Sequence, residues 1–224
     1  MISDRSSRRS WISLGTALVA AIALAVGSPD RASASPVALD VTAAGGADSF
    51  CNAPLGCVAG WAFHVNSPIQ ILSLGFFDLG SDGLATSHDV GVFDSSGTLL
   101  TSTVVNNAST SATSAFGGGQ WLLSAIAPFE LDPGDYSIGG VDLYLSLDHL
   151  LSSAPETTIP NISYLGGRLA FASSLVPMTL GPLPGFEPGL FGPTFTARAV
   201  PEPSTLLLVA GAGLVALIRA WRHD

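Results

Sequence analysis

Apolar and polar positions alternate along most of the chain between residues 37 and 197, and turn residues interrupt the alternation at short intervals. A period of two indicates strands with one buried face, and no stretch there repeats with a helical period. The pattern predicts strands at 37–42, 58–65, 70–77, 88–93, 99–105, 120–127, 136–145, 162–169 and 191–197. Short strands separated by turns predict an all-β fold over residues 35–198, an antiparallel, jelly-roll-like β-sandwich.

The first 34 residues depart from this pattern and have the three parts of a secretory signal peptide. Three arginines come first: Arg5, Arg8 and Arg9. An apolar stretch at 14–26 follows, and Ala32 and Ala34 form a small-residue site, which predicts cleavage after Ala34. An uncleaved anchor is the alternative, but the helix-breaking residues 27–30 disfavour it. The arginine pair also fits a twin-arginine signal, so both export pathways stay open.

The last segment, 199–224, combines a rigid triplet with a short apolar run. The triplet is Pro201, Glu202 and Pro203, and the uncharged run 206–218 is followed by Arg219 and Arg222. Each proline fixes φ and extends the residue before it, so the triplet is expected to stand outside the helix that follows. The run predicts a single transmembrane helix, about 20 Å long and therefore short for a bilayer. Its arginines belong on the cytoplasmic side, which places the β domain outside.

This order of a Pro-Glu-Pro triplet, an apolar helix and arginines resembles the PEP-CTERM sorting signal of Gram-negative bacteria. The resemblance implies that exosortase, a membrane-embedded cysteine protease, recognises Pro201–Pro203 and removes the anchor from the inner membrane. It also implies a final location at the cell surface or outside the cell, in an extracellular-matrix or exopolysaccharide setting. Ala220 and Trp221 interrupt the usual basic cluster. A proline-capped membrane helix without processing is the alternative.

The β domain is strongly acidic, since residues 35–198 hold thirteen Asp and Glu against two arginines. Such a surface repels phosphate backbones and disfavours nucleic acid as a partner, but it tolerates divalent cations. Asp78, Ser81 and Asp82 lie in a glycine-rich stretch and could offer oxygen ligands to Ca²⁺. The alternative is an acidic turn in which the Asp side chains accept hydrogen bonds from backbone N–H groups.

Cys51 and Cys57 are the only two cysteines of the chain. Export into an oxidising compartment predicts that they form a disulfide. A metal site with two cysteine ligands is the alternative, although no histidine lies close by in the sequence.

Residues 60–100 resemble the core of a group of exported bacterial β domains, and the resemblance implies a β fold. The matching residues are Trp61, Phe63, Phe76, Phe77, Asp82, Gly83, Leu84, His88 and, further on, Tyr164–Arg168. The histidines of the domain are dispersed, no catalytic motif is present, and the sequence nominates no catalytic residue. We therefore expect a non-enzymatic structural or adhesive protein. The alternatives are a Ca²⁺-assisted carbohydrate (exopolysaccharide)-binding module, with 78–89 as its site, and a secreted hydrolase of unknown class.

Overall fold

A computed structural model describes most of the predicted β domain and the first residue of the Pro-Glu-Pro triplet. The described residues are 36–43, 45–48, 51, 54–143, 148–152, 154–181 and 188–201. All of them belong to one compact unit, Pro36–Asp224. Within these ranges, no helix has the length and apolarity needed to cross a membrane. The predicted signal peptide, the transmembrane helix and its arginines lie outside the described residues.

The regular structure of the described residues consists of β-strands, so the all-β prediction is confirmed. In chain order the strands are β1 Leu39–Val41, β2 Gly46–Asp48, β3 Cys57–Val65, β4 Ile69–Leu79, β5 His88–Asp94, β6 Leu99–Val105, β7 Thr110–Thr113, β8 Gly119–Leu131, β9 Gly134–Asp142, β10 Leu150–Ser152, β11 Glu156–Thr158, β12 Ile162–Ala170, β13 Leu190–Phe191 and β14 Pro193–Ala199.

The strands form two large and two small antiparallel sheets. The five-stranded sheet has the order β12-β3-β9-β5-β6, and the four-stranded sheet has the order β14-β4-β8-β7. Strands β13, β10 and β2 form a three-stranded sheet, and β1 pairs with β11. The chain changes sheet between β3 and β4 and again between β4 and β5, so the two large sheets are built from interleaved segments.

Aromatic side chains join the facing sides of the two large sheets. The ring of Trp61 on β3 stacks on that of Phe195 on β14 at 5.8 Å, and the Phe63 and Phe195 rings lie 5.2 Å apart. The Trp61 indole also donates a hydrogen bond to the carbonyl of Pro193 at 2.8 Å. Trp61 and Phe63 are fully buried. This packing of one sheet on the other is what the sandwich prediction requires; the jelly-roll strand order stays a prediction.

The other side of the five-stranded sheet is covered as well, by residues 171–181, which we call the strap. Three glycines lie in register across the middle of this sheet: Gly60, Gly139 and Gly91. A Cβ atom on Gly91 would lie 2.9 Å from the Leu175 side chain, and one on Gly139 would lie 2.9 Å from that of Met178. The missing side chains therefore make room for the strap, and strand β3 is buried on both faces.

Candidate functional site

A histidine and an aspartate form a buried pair at the start of β5. The His88 side chain is fully buried, and its Nε2 lies 2.9 Å from Oδ2 of Asp148. Its Nδ1 lies 2.8 Å from the carbonyl oxygen of Val141, and its ring stacks on Phe76 at 3.8 Å. The Asp148 carboxylate also accepts hydrogen bonds from the backbone of the β4–β5 loop, residues 80–87. The pair thus joins β5, β9 and this loop.

Hydrogen bonds fix the charge state of Asp148. Burial alone would raise the pKa of Asp148, but the hydrogen bonds from His88 and from the N–H groups of Ala85 and Thr86 outweigh burial and lower this pKa below 3.8. The carboxylate is therefore ionised at neutral pH and can only accept. The Val141 carbonyl also only accepts, so both ring nitrogens of His88 lie against acceptor oxygens. The ring of His88 meets Asp148 with its edge and Phe76 with its face.

The predicted Ca²⁺ residues lie in the same β4–β5 region, but they differ in exposure. Asp78 is 2% exposed, and its carboxylate accepts hydrogen bonds from the Gly83 N–H, at 3.1 Å to Oδ2, and from the Gln120 amide at 2.7 Å. Ser81 and Asp82 are exposed, and Ser81 adopts the left-handed conformation with φ of 58°. The contacts of Asp78 are those of the acidic-turn alternative. The Ca²⁺ site stays a prediction.

Asp40 is a third carboxylate that the fold uses as an acceptor, and sequence reasoning gave it no role. Its Oδ1 accepts from the Trp121 indole at 2.8 Å and from the Ser114 hydroxyl at 2.7 Å, and its Oδ2 accepts from the Ala115 N–H at 2.8 Å. These donors lie more than seventy residues along the chain from Asp40. A buried tryptophan needs a hydrogen-bond acceptor for its indole N–H, but the sequence does not indicate which residue supplies that acceptor.

The two cysteines lie next to β3. The structure joins Cys51 and Cys57 by a disulfide, with their Cα atoms 5.5 Å apart. Both side chains are buried, and a carboxylate oxygen of Asp142 lies within 4.8 Å of both sulfur atoms. Since a disulfide sulfur has no thiolate to offer, this arrangement does not provide the two-cysteine metal site that was the alternative.

An open cleft of about 330 Å³ lies on the outer side of the five-stranded sheet, beside the strap. Asp94 at the end of β5 and Ser95 in the following turn line it, β9 contributes Asp135 and Ser137, and β12 contributes Arg168. Hydrogen bonds from the Ser96 hydroxyl and the Thr98 N–H lower the pKa of Asp94 below 3.8. The cleft therefore presents anionic acceptors, hydroxyl groups and one guanidinium. Sequence reasoning did not find it, because its residues come from five separate segments.

The sorting triplet begins where the described residues end. Pro201 is exposed and follows β14 by two residues, whereas Glu202 and Pro203 lie outside the described residues, as do Ala32 and Ala34. Comparison with protein-family models matches residues 199–222 to the PEP-CTERM protein-sorting motif. The same comparisons found no match among curated proteins and none among solved structures. The sorting prediction is confirmed: residues 199–222 carry the PEP-CTERM sorting motif, and this motif implies an exported surface protein that is processed by exosortase, a membrane protein.

Proposed function

We propose that the β domain is a non-enzymatic structural or adhesive protein, which exosortase processing displays at the cell surface or releases from it. The observation that supports this proposal most directly is that the His88–Asp148 pair makes its hydrogen bonds to groups within the protein. This pair has the residue types of a general base and its orienting carboxylate. In the described structure both partners instead hold the β4–β5 loop to the sheet.

The geometry of His88 is unsuited to proton transfer. A general base needs an unprotonated ring nitrogen within hydrogen-bond reach of its substrate. Both nitrogens of His88 face acceptors inside the protein, and the side chain has no exposed surface. The carboxylates of Asp40 and Asp78 are similarly occupied by protein donors. These groups favour a stable scaffold over a reaction centre.

A dose experiment tests this role. A host strain that lacks the chain is complemented with graded amounts of the full-length protein, and attachment of the cells to their matrix is measured. A structural component should act in proportion to its surface amount, whereas an enzyme should saturate at low amounts. Turnover of any polysaccharide, peptide or ester by the purified mature protein would overturn the proposal.

Carbohydrate binding is a second candidate function, and the cleft favours it. Sugar hydroxyls both donate and accept, so they match a surface that mixes carboxylates, hydroxyls and a guanidinium. Asp94 lines the cleft at the end of β5, whereas His88 starts this strand beside the β4–β5 loop. Six strand residues separate them by roughly 20 Å. A sugar in the cleft would therefore not reach a Ca²⁺ ion held by Asp78 and Asp82.

Binding to neutral and acidic exopolysaccharides tests this candidate. We expect Arg168→Ala to weaken binding at least tenfold, because this guanidinium is the cationic donor of the cleft. Asp89→Ala is the matched control, since Asp89 is exposed at the other end of β5. Absence of binding in the wild type, or equal binding in both variants, would refute carbohydrate recognition at the cleft.

A further inference from the structure

The PEP-CTERM match overlaps the folded β domain. It begins at residue 199, and Ala199 is the last residue of β14, paired with Ile69 on β4. The next residue is anchored too, because the N–H of Val200 donates to the carbonyl of Pro68 at 3.0 Å. Pro201 follows directly. The sorting triplet therefore starts immediately after the last described residue that is hydrogen-bonded to β4 or to the residue preceding it, with no linker between them.

Side chains reinforce this anchor across three strands. Arg198, Gln70 and Glu130 are in register on β14, β4 and β8. The Arg198 guanidinium donates through Nε and Nη2 to Oε1 of Gln70, at 2.9 and 2.6 Å. The Gln70 amide in turn donates to Oε1 of Glu130 at 3.2 Å. Gln70 thus connects the end of β14 to the middle of the sheet.

The end of β14 is less firmly held than its beginning. Within the described residues, segment 37–39 adds to the free edge of β14, where Val37 bridges Thr196 and the Ala38 N–H donates to Phe195. Beyond Thr196, β4 is the only described segment that pairs with β14, and the register shifts between Thr196 and Ala197. Residues 197–200 can therefore separate from β4 while the rest of the strand stays in place.

Proteases bind their substrates as extended segments, and enzyme contacts then replace those that the substrate backbone made before. An enzyme that holds Pro201 in this way also covers the residues directly before it. In this chain, those residues are engaged by β4. The sheet and the protease therefore compete for one stretch of backbone.

We propose that residues 197–200 form a latch, held by Gln70 and Pro68, which must open before exosortase can process the tail. Gln70 is accordingly a positioning residue for the processing reaction, although it lies outside the matched motif. Local separation of a strand end is a low-cost opening, so the latch sets the rate of processing without blocking it. The proposal rests on processing by exosortase and adds the step that limits it.

A spacer provides the first test. Eight Gly and Ser residues are inserted between Val200 and Pro201 of the full-length chain in its native host, and loss of the tail is followed by pulse-chase. The spacer should speed processing about fivefold, and Gln70→Ala should have a similar effect. Only one or two hydrogen bonds tie the latch to each of Gln70 and Pro68, and their net contribution corresponds to a rate change of this size. Thr110→Ala, on the opposite edge strand of the same sheet, is the control and should be processed as the wild type is.

A reversible cross-strand disulfide, which we call the staple, provides a second test. The slower processing that it predicts could not result from a general loss of stability. Arg198 is exposed, Gln70 is half-buried, and the two are in-register neighbours, so the pair Arg198→Cys and Gln70→Cys can form a cross-strand disulfide. The oxidised variant should lose its tail at least tenfold more slowly than the wild type, and a reductant should restore or exceed the wild-type rate. The reductant is also applied to the wild type.

Two outcomes would overturn the latch. One is processing of the oxidised, stapled variant at the wild-type rate, and the other is unchanged or slower processing of the spacer variant. The double variant Pro201→Ala, Glu202→Ala separates this failure from failure of sorting itself. If that variant also loses its tail at the wild-type rate, the triplet is not the recognised element. If the triplet variant keeps its tail while the latch variants are processed as the wild type is, sorting holds and only the latch is wrong.

Discussion

Replacement of Asp148 by asparagine tests the central contact of the β domain. The change keeps the size and shape of the side chain but removes the negative charge and turns one acceptor oxygen into a donor. In the wild type, Oδ2 accepts from both His88 and Thr86, and Oδ1 accepts from Ala85. An asparagine amide group in the Oδ2 position would face the Thr86 N–H, donor against donor.

The magnitude follows from these contacts. A buried donor left without an acceptor costs about 1–3 kcal/mol, and loss of one partner from a buried ion pair costs about 3–5 kcal/mol. The second cost is an upper limit here, because the asparagine side chain keeps one oxygen that can accept a hydrogen bond. We therefore expect Asp148→Asn to lower the free energy of unfolding by about 2–4 kcal/mol. For a domain of this size that shifts Tm by roughly 5–12 °C.

Thermal and urea unfolding of the mature protein at pH 7 provide the assay, with Asp89→Asn as the control. Asp89 follows His88 on β5 but is exposed, so its replacement should change the stability by less than about 0.5 kcal/mol. The pH dependence gives a second measurement. Because folding lowers the pKa of Asp148 below 3.8, its contribution is complete above that pH and is lost as pH falls through the folded pKa. The difference between wild type and Asp148→Asn should shrink below about pH 4.

The result that would refute this reasoning is a Tm for Asp148→Asn equal to that of Asp89→Asn at pH 7. A difference that stayed constant from pH 7 down to pH 3 would also contradict it, since the carboxylate would then be neutral or unimportant in the folded state.

Three further predictions concern the metal hypothesis, the disulfide and the sheet. Calcium binding at the β4–β5 loop predicts that EDTA lowers the Tm of the wild type but not of Asp82→Ala; an equal Tm with and without EDTA would remove the hypothesis. Replacement of Cys51 and Cys57 by serine should cost about 2 kcal/mol by the loop-entropy estimate, measured by urea unfolding; an unchanged midpoint would contradict it. Gly60→Ala should prevent folding or lower Tm by more than about 10 °C, because its Cβ would lie 1.9 Å from the Ile138 carbonyl, whereas Gly181→Ala, with nothing within 4 Å, should have little effect.

The long strands could be predicted from sequence because each carries its own periodic signal. The predicted strand 99–105 coincides with β6, and 88–93 is one residue shorter than β5. The short strands β2, β10 and β11 were not predicted. Each has three residues, which is too few for a period, and each forms only because a distant strand pairs with it. Strand β7 was missed for a related reason, since its sequence Thr-Ser-Ala-Thr is polar and lies at a sheet edge.

The pairing of His88 with Asp148 could not be predicted, because sixty residues separate them and sheet register decides which carboxylate meets the ring. Asp89 is adjacent in sequence but points to the opposite face of β5. Asp78 shows the converse case. The glycine-rich sequence around it indicated a turn, and the structure shows positive φ at Gly80 and Gly83. Whether its oxygens face a metal or N–H groups depends on Gln120, which comes from another strand.

Strand β14 links the two processing events that the sequence predicts. Its beginning pairs with segment 37–39, which starts three residues after the predicted cleavage at Ala34, and its end carries the PEP-CTERM motif. The edge position makes both arrangements possible, because a central strand would have no free side for the N-terminal segment and no end able to separate. Signal cleavage that precedes folding would free segment 37–39 to pair, and this pairing would confine later opening to residues 197–200. Deletion of residues 36–39 should therefore widen the opening and speed tail removal beyond the rate of the spacer variant.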